Sequence, residues 1–254
     1  MKIQFASDLH LEFPANSRFL KNNPMQPMGD VLVLSGDIGY LNHESYSINH
    51  FWDWASDHFE KVLVVPGNHE FYSGYDLSNM SDDLVISIRR NIDLCYNKSV
   101  VIGDVEFILT TLWSWIRPDA ARSIERSISD FRFNRYNNQR LTADAFNELH
   151  VQCCDFLKKT LSKRKVGKRV VVSHHVPTDL CLSEEFKGSI LNGAFVVDLT
   201  DFITGSDIDC WIYGHSHRNI GEVIIGQTKF LSNQLGYVDL EEHITFDMSC
   251  FILM

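Results

Sequence analysis

The sequence has no long apolar run, no cysteines in C-x-x-C spacing and no excess of positive charge. The apolar residues at its start give way to Asp8 and His10 too soon for a signal peptide or a bilayer-spanning helix. Its six cysteines lack the compact framework of small secreted domains, which favours reduced thiols. We therefore expect a cytoplasmic protein with no membrane partner.

The charge balance is acidic, with 23 Lys and Arg residues against 33 Asp and Glu and a net charge of −10. Such a balance repels polyanions unless basic residues are concentrated locally, so nucleic acid is disfavoured as a partner. A chain of 254 residues that is 44% apolar builds a core without disulfides or a structural metal, so any metal would serve chemistry. We predict a single domain over 1–254; the oligomeric state has no signal in the sequence.

Short apolar runs recur along the chain, and a polar cluster follows each of them. The five clearest runs are 3–6, 31–34, 62–65, 170–172 and 210–213. Continuous apolarity of this length is typical of strands buried on both faces. Helices are predicted between them at 47–58, 82–92 and 142–162, the last with Thr142 as its N-cap. The alternation of strands and helices predicts an α/β sandwich.

Other segments predict antiparallel additions to the sheets. Gly103-Asp104 and Gly226-Gln227 each join two apolar runs, which predicts two tight hairpins. The tail over 245–254 is predicted to form a closing strand. The stretch 113–140 fits neither period and holds six arginines, so we interpret it as an inserted lid.

The polar clusters at the ends of the apolar runs carry the candidate chemistry. In order they are D-x-H at Asp8 and His10, G-D at Asp37, G-N-H-E from Gly67 to Glu70, H-H at His174 and His175, and G-H-S-H with His215 and His217. Taken alone, D-x-H and G-D are most often a turn or a cap, G-H-S-H could be a surface loop, and the two adjacent histidines could be a buried, hydrogen-bonded pair. Five in succession are harder to explain structurally, because ionisable groups resist burial unless they are paired or bind an ion.

Carboxylates and imidazoles at the carboxyl edge of a sheet are suited to converge on one crevice. Asp and His together favour borderline divalent ions, namely Mn, Fe, Zn, Ni or Co, over Mg and Ca. Seven candidate ligands exceed what one tetrahedral ion needs. Two ions about 3.5 to 4 Å apart, joined by a carboxylate and a hydroxide, would use all seven and would suit phosphoester hydrolysis.

The five ordered motifs resemble those of the calcineurin-like metallophosphoesterase superfamily, and the match spans 8–217. The resemblance implies a four-layer α-β-β-α sandwich, in which two mixed sheets are flanked by helices. It also implies a site with two divalent metal ions as cofactors. By position, the first ion would be bound by Asp8, His10 and His217, the second by Asn68, His174 and His215, and Asp37 would lie between them.

The same resemblance assigns His69 to the phosphate or the leaving oxygen, and we predict that it is the general acid. Arg218, His175 and Asn192 are candidate contacts to the phosphate or to the ligands, although the family motifs do not fix them. The implied reaction is attack on phosphorus by a metal-bridging hydroxide, with a small-molecule phosphate ester as substrate.

Several functions remain open at this point. Hydrolysis of a phosphodiester is favoured over that of a phosphomonoester. A serine/threonine protein phosphatase would share the site but would need an open groove, which the predicted lid argues against. A nuclease is disfavoured by the charge balance. A non-catalytic scaffold of the same fold usually lacks ligands, whereas every ligand position is present here.

Overall fold

Two six-stranded sheets carry the fold in this computed structural model, which describes residues 1–165 and 167–254. The first sheet contains β1 (Lys2–Ala6), β2 (Val31–Ser35), β3 (Lys61–Val65), β4 (Leu84–Arg89), β5 (Ile92–Tyr96) and β14 (Phe251–Leu253). Its order is β14-β1-β2-β3-β5-β4, and its central pairs are parallel while both edge strands are antiparallel.

The second sheet repeats this arrangement. It contains β6 (Lys98–Ile102), β7 (Val105–Thr110), β10 (Lys168–Ser173), β11 (Cys210–Ile212), β12 (Val223–Ile225) and β13 (Thr228–Leu231). The order is β12-β13-β11-β10-β7-β6, again with antiparallel pairs at both edges. A separate two-stranded ribbon pairs β8 (Arg135–Tyr136) with β9 (Gln139–Arg140).

Helices cover the outer faces of both sheets. They are α1 (Pro14–Asn22), α2 (Glu44–Ile48), α3 (His50–His58), α4 (Pro118–Ser127), α5 (Asp130–Phe133), α6 (Ala143–Leu161) and α7 (Thr200–Thr204). Thr142 caps α6 as predicted, since its side chain accepts a hydrogen bond from the N–H of Ala145. Within the described residues, none of these helices combines the length and apolarity that a bilayer crossing requires.

Alternation along each central strand divides the core into three apolar layers. Phe5 and Val33 face Phe107 and Val172 of the other sheet, so one layer lies between the sheets. Outside the first sheet, neighbours such as Ala6 and Leu34 pack with Leu20 of α1 and Trp52 of α3. Outside the second sheet, Ile108, Val171 and Trp211 pack with α4 and α6. The result is the expected four-layer sandwich of two mixed sheets.

Most predicted elements are present, and one prediction is wrong. The five buried runs form β1, β2, β3, β10 and β11, and both glycine turns close hairpins. The helix predicted over 82–92 is instead β4, the turn at Arg90 and Asn91, and the start of β5. Leu84, Ile86 and Ile88 repeat every second residue, and this period of two suits a half-buried edge strand better than a helix.

The segment 113–140 packs against the second sheet. Trp113, Ile124 and Phe131 are buried in its outer apolar layer, whereas Trp115 is exposed. The segment thus contributes core as well as surface. That it closes over a substrate stays a prediction.

Candidate metal centre

The predicted ligands lie where central parallel strands of both sheets end. Asp8, Asp37 and Asn68 come just after β1, β2 and β3 of the first sheet. His174 and His215 come just after β10 and β11 of the second. The structure brings these carboxyl ends to one edge of the sandwich, where open α/β sheets bind ligands.

The backbone at this edge adopts conformations that L-residues rarely occupy. Five of the predicted ligands have positive φ, namely Asp8 (55°), His10 (47°), Asp37 (57°), His215 (76°) and His217 (51°). Each such residue costs about 1 to 3 kcal/mol, and such residues cluster at functional sites. The folded chain therefore holds strained backbone in the loops that aim these side chains inward.

Four side chains form the first group of ligand atoms. One ligand atom from each of Asp8, His10, Asp37 and His217 lies within 4.8 Å of all the others. The Nε2 atoms of His10 and His217 are 3.0 Å apart, and Asp8 Oδ1 is 3.4 Å from His217 Nε2. Asp37 Oδ2 lies 3.8 Å from His10 Nε2. These atoms face a common point.

A second group adjoins the first and shares one member with it. The ligand atoms of Asp37, His174 and His215 also lie within 4.8 Å of one another. His174 Nε2 is 3.3 Å from Asp37 Oδ1 and 2.9 Å from the amide oxygen of Asn68. Asp37 therefore directs Oδ2 to the first group and Oδ1 to the second, as a carboxylate between two ions would.

The chemistry of these donors fits a pair of divalent ions. Two carboxylates, four imidazoles and an amide oxygen are nearly or fully buried, and buried charge is costly unless it is paired or binds an ion. The Nε2 atoms of His10 and His217 face each other across 3.0 Å, with carboxylate oxygens of Asp8 and Asp37 nearby. Nitrogen and oxygen donors in this mixture suit borderline metals. That the seven residues bind metal stays a prediction.

The carboxylates and imidazoles of the cluster shift one another's pKa values. Burial lowers the pKa of His217, but the Asp8 and Glu242 carboxylates outweigh it and raise this pKa to about 10. Burial likewise opposes protonation of His174, and Asp37 raises its pKa to about 9. Although burial alone would raise the pKa of Asp37, His174 and His69 hold it well below its usual range.

Glu70 ties two of the loops together, a role that its position in the sequence does not reveal. Its buried carboxyl accepts hydrogen bonds from the backbone N–H groups of Asp37 (3.0 Å), Ile38 (2.7 Å) and Gly67 (2.7 Å). Burial, followed by the Asp37 charge, raises the pKa of Glu70 to about 8. A Cβ atom at Gly67 would lie 2.1 Å from Asp37 Oδ1, so only glycine fits there.

His69 lies beside the ligand groups without belonging to either. Its Nδ1 is 3.0 Å from Glu12 Oε1, and its Nε2 is 4.0 Å from Asp37 Oδ2. The same Glu12 oxygen is 3.0 Å from Nδ1 of His10. A carboxylate only accepts hydrogen bonds, so Glu12 keeps a proton on both Nδ1 atoms and turns both Nε2 atoms toward the cluster. Sequence reasoning missed Glu12, whose only signal is its proximity to His10.

The three further candidates occupy different positions. Arg218 donates to Glu185 (2.6 Å) and Glu242 (3.2 Å), and Glu242 in turn lies 2.7 Å from His217 Nδ1. His175 is buried with its ring 4.2 Å from that of His215.

Asn192 uses its amide nitrogen within its own loop, where it donates to the carbonyl of Phe186 (2.8 Å). Of the three candidates, Arg218 reaches the cluster indirectly, through Glu242. A phosphate contact from Arg218, His175 or Asn192 stays a prediction.

Aromatic rings surround His69, and no motif in the sequence predicts them. Tyr72 stacks on its imidazole at 4.2 Å, and Tyr40 and Tyr237 lie 6.2 and 6.4 Å away. The hydroxyl of Tyr237 is 3.4 Å from His69 Nε2. Apolar ring faces therefore surround the imidazole of the predicted general acid.

Comparisons with known proteins identify the family of the chain. The family model described as calcineurin-like phosphoesterase matches residues 1–219. The uncharacterized protein L509 of Acanthamoeba polyphaga mimivirus is 30% identical over 263 residues, which cover 92% of this chain and 91% of that protein.

Two solved structures align with most of the chain. Phosphopantetheinyl hydrolase from Mycobacterium tuberculosis is 15% identical, with a TM-score of 0.70 and coverage of 99% of this chain and 95% of that one. A dimetal phosphatase from Danio rerio is 13% identical, with a TM-score of 0.49 and coverage of 92% and 87%.

Proposed function

Since the chain belongs to the calcineurin-like phosphoesterase family, we propose that it hydrolyses phosphodiesters with the help of two divalent metal ions. The observation that carries this proposal is the position of Asp37. Its two carboxylate oxygens belong to two adjoining groups of ligand atoms, which is the arrangement that a pair of ions requires.

The ligand assignment follows from the two groups. Asp8, His10 and His217 would bind one ion, Asn68, His174 and His215 the other, and Asp37 both. Such ions, drawn from Mn, Fe, Zn, Ni and Co, would activate water as a nucleophile and neutralise charge on the phosphoryl oxygens. The buried loops around Asp37 and Glu70 keep the donors in place before any ion binds.

His69 supplies the proton for the leaving oxygen in this proposal. Although burial lowers its pKa, the carboxylates of Asp37 and Glu12 raise it above the ordinary value for histidine. The two carboxylates therefore favour the protonated form of the ring. Because Glu12 holds Nδ1, the proton on Nε2 is the one that faces the cluster and can be donated.

The charge around the cluster favours a diester over a monoester. Arg218 is the basic residue nearest to the ligands in sequence, and Glu185 and Glu242 already neutralise it. A monoester brings two negative charges, whereas a diester brings one and adds a second organic group. The rings of Tyr40, Tyr72 and Tyr237 offer apolar surface for that group.

The compartment and the partners are part of the same proposal. All six cysteines are free thiols, which supports a cytoplasmic location. The substrate would be a small molecule, because the net charge of −10 disfavours binding of nucleic acid.

A substrate comparison tests the proposal. Metal-free protein is reloaded with Mn²⁺ and assayed with bis-p-nitrophenyl phosphate and p-nitrophenyl phosphate. We expect kcat/KM to be at least about tenfold higher for the diester, a difference of about 1.4 kcal/mol in transition-state binding. A panel of glycerophosphodiesters, cyclic nucleotides, phosphopeptides and a phosphopantetheinyl substrate then narrows the class.

An Asp37→Ala variant prepared in the same way reports any contaminating phosphatase. Faster turnover of the monoester would exclude the diester preference, and no metal-dependent turnover of any ester would exclude the function itself.

A further inference from the structure

The predicted metal ligand Asn68 is held from outside the cluster by a residue of the segment 113–140. Asp130, at the start of α5, is buried with 1% of its surface exposed. Its Oδ1 accepts a hydrogen bond from Asn68 Nδ2 at 2.7 Å and another from the hydroxyl of Tyr72 at 2.5 Å. At the other end of α5, Asn134 donates to the carbonyl oxygen of Asn68 at 3.4 Å.

This contact settles which end of the Asn68 amide faces the cluster. An asparagine side chain presents an oxygen on one side and an NH₂ group of nearly the same shape on the other, and only the oxygen is a ligand for a cation. A carboxylate can only accept hydrogen bonds. Asp130 therefore draws the NH₂ group outward, and Asn68 Oδ1 is left 2.9 Å from His174 Nε2 inside the second ligand group.

Burial makes Asp130 a costly way to fill space. Its Oδ2 is buried without a hydrogen-bond partner among the described residues, and both of its donors converge on the single atom Oδ1. A buried polar group that is only partly satisfied lowers stability relative to an apolar residue of similar size. The orientation of Asn68 and Tyr72 by this carboxylate would explain why a buried acid occupies the position.

The second donor extends the effect to His69. Tyr72, which donates to Asp130, stacks on the His69 imidazole at 4.2 Å. One carboxylate oxygen thus fixes both the amide ligand and the ring that packs on the predicted proton donor. These residues lie in the turn after β3, and α5 reaches them from a distant part of the chain.

We propose that Asp130 is a positioning residue of the metal centre, which orients Asn68 as an oxygen ligand for the second ion. The inference rests on the proposed two-metal function. It gives the segment 113–140 a part in building the site in addition to any role as a lid.

Metal titration tests the inference without relying on activity. Metal-free protein is titrated with Mn²⁺ in a calorimeter, and wild type should bind two ions. Asp130→Asn, whose amide no longer dictates which end of Asn68 points inward, should bind the second ion about tenfold more weakly with the first unchanged. The matched control is Asp119→Asn, an exposed residue of α4 that pairs with Arg117, and it should match wild type.

A swap of the two side chains separates orientation from mere packing. Asn68→Asp alone places the new carboxylate against that of Asp130, and like charges repel. This variant should therefore bind the second ion more weakly. In the double variant Asn68→Asp/Asp130→Asn the amide donates to the carboxylate and the hydrogen bond is restored with reversed polarity. The double variant should bind the second ion about tenfold more tightly than Asn68→Asp.

These measurements test the positioning role of Asp130 separately from the proposed two-metal function. If wild type binds two ions and Asp130→Asn binds the second as tightly, the positioning role is wrong while the proposed function stands. If the swap gives no recovery although its thermal unfolding matches wild type, the role is also wrong. If wild type binds no pair of ions, both proposals fail together.

Discussion

Asp37 accepts a hydrogen bond from the backbone N–H of His69 at 2.9 Å through Oδ1, the same oxygen that lies 3.3 Å from His174 Nε2. The carboxylate shared by both ligand groups therefore also fixes the backbone of the predicted general acid. A change in the position of Asp37 would move the backbone of His69 with it, so the proposed metal binding and the proposed proton donation would depend on each other.

Substitution of Asp37 should remove at least one of the two ions. Asp37→Asn replaces one of the two carboxylate oxygens with an NH₂ group that cannot bind a cation, so one ligand group loses its contact. We expect metal content to fall from two ions to one or fewer and turnover to fall by more than about 100-fold. Elemental analysis and a diester assay measure both. Asp53→Asn, an exposed residue of α3, is the control. Retention of two ions would rule out a bridging role.

Removal of the His69 ring should slow the reaction without emptying the site. His69→Ala takes away the proton for the leaving oxygen, and a positioned general acid contributes about 10²- to 10⁴-fold. The expected result is a loss of kcat in that range with metal content unchanged. His58→Ala, whose ring lies on the surface at the end of α3, serves as the comparison. A wild-type kcat in His69→Ala would show that the proton comes from elsewhere.

Glu12→Gln should lower the rate of hydrolysis by an amount that depends on the leaving group of the ester. Its amide can offer NH₂ as well as oxygen to His69, so the imidazole is no longer fixed with Nε2 toward the cluster. Esters with poor leaving groups need the proton, and we expect them to lose about tenfold or more, whereas nitrophenyl esters should change little. A plot of kcat against leaving-group pKa measures this. Glu60→Gln on the surface is the control; equal losses for all esters would point to metal binding instead.

Metal affinity should rise with pH. The pKa of His174 is raised to about 9 and that of His217 to about 10, so both rings carry a proton at pH 7. A metal ligand must be deprotonated, hence protons compete with the ion and the competition weakens as pH rises through these values. Calorimetry at pH 6.5 and 8.5 in buffers of different ionisation enthalpy should show tighter binding and proton release. A pH-independent affinity without proton release would contradict the assignment of these ligands.

Gly67→Ala should disturb the loop that carries Asn68. The added Cβ would lie 2.1 Å from Asp37 Oδ1 and 2.6 Å from the Asp37 backbone nitrogen, so the loop must shift. We expect a loss of about 1 to 3 kcal/mol in the free energy of unfolding, together with weaker metal binding. At Gly221 the Cβ position meets nothing within 4 Å, and Gly221→Ala is the matched control. Equal urea midpoints for the two variants would show that the loop tolerates the methyl group.

The central strands and the polar clusters that follow them could be predicted from the sequence because each signal is local. An apolar run such as 62–65 buried on both faces predicts a parallel strand, and the polar residues that follow it must lie at the carboxyl edge. Parallel strands then bring distant motifs such as Asp8 and His215 together without further information.

The supporting residues could not be read in the same way. Glu12 and Asp130 act through contacts that depend on how loops pack, and Asp130 lies 62 positions from Asn68. Neither belongs to a motif, and a single buried acid has no period to reveal it. The helix wrongly predicted over 82–92 has a related cause, because an edge strand with one half-buried face carries a weak pattern.

The division of the predicted ligands between the two sheets has a consequence for how the protein unfolds. Asp8, Asp37 and Asn68 follow strands of one sheet, and His174 and His215 follow strands of the other. Bound ions would cross-link the two sheets, and the sheets could not separate while the ions remain bound. Metal release should therefore accompany the first separation of the two sheets during unfolding, well before the individual strands unfold.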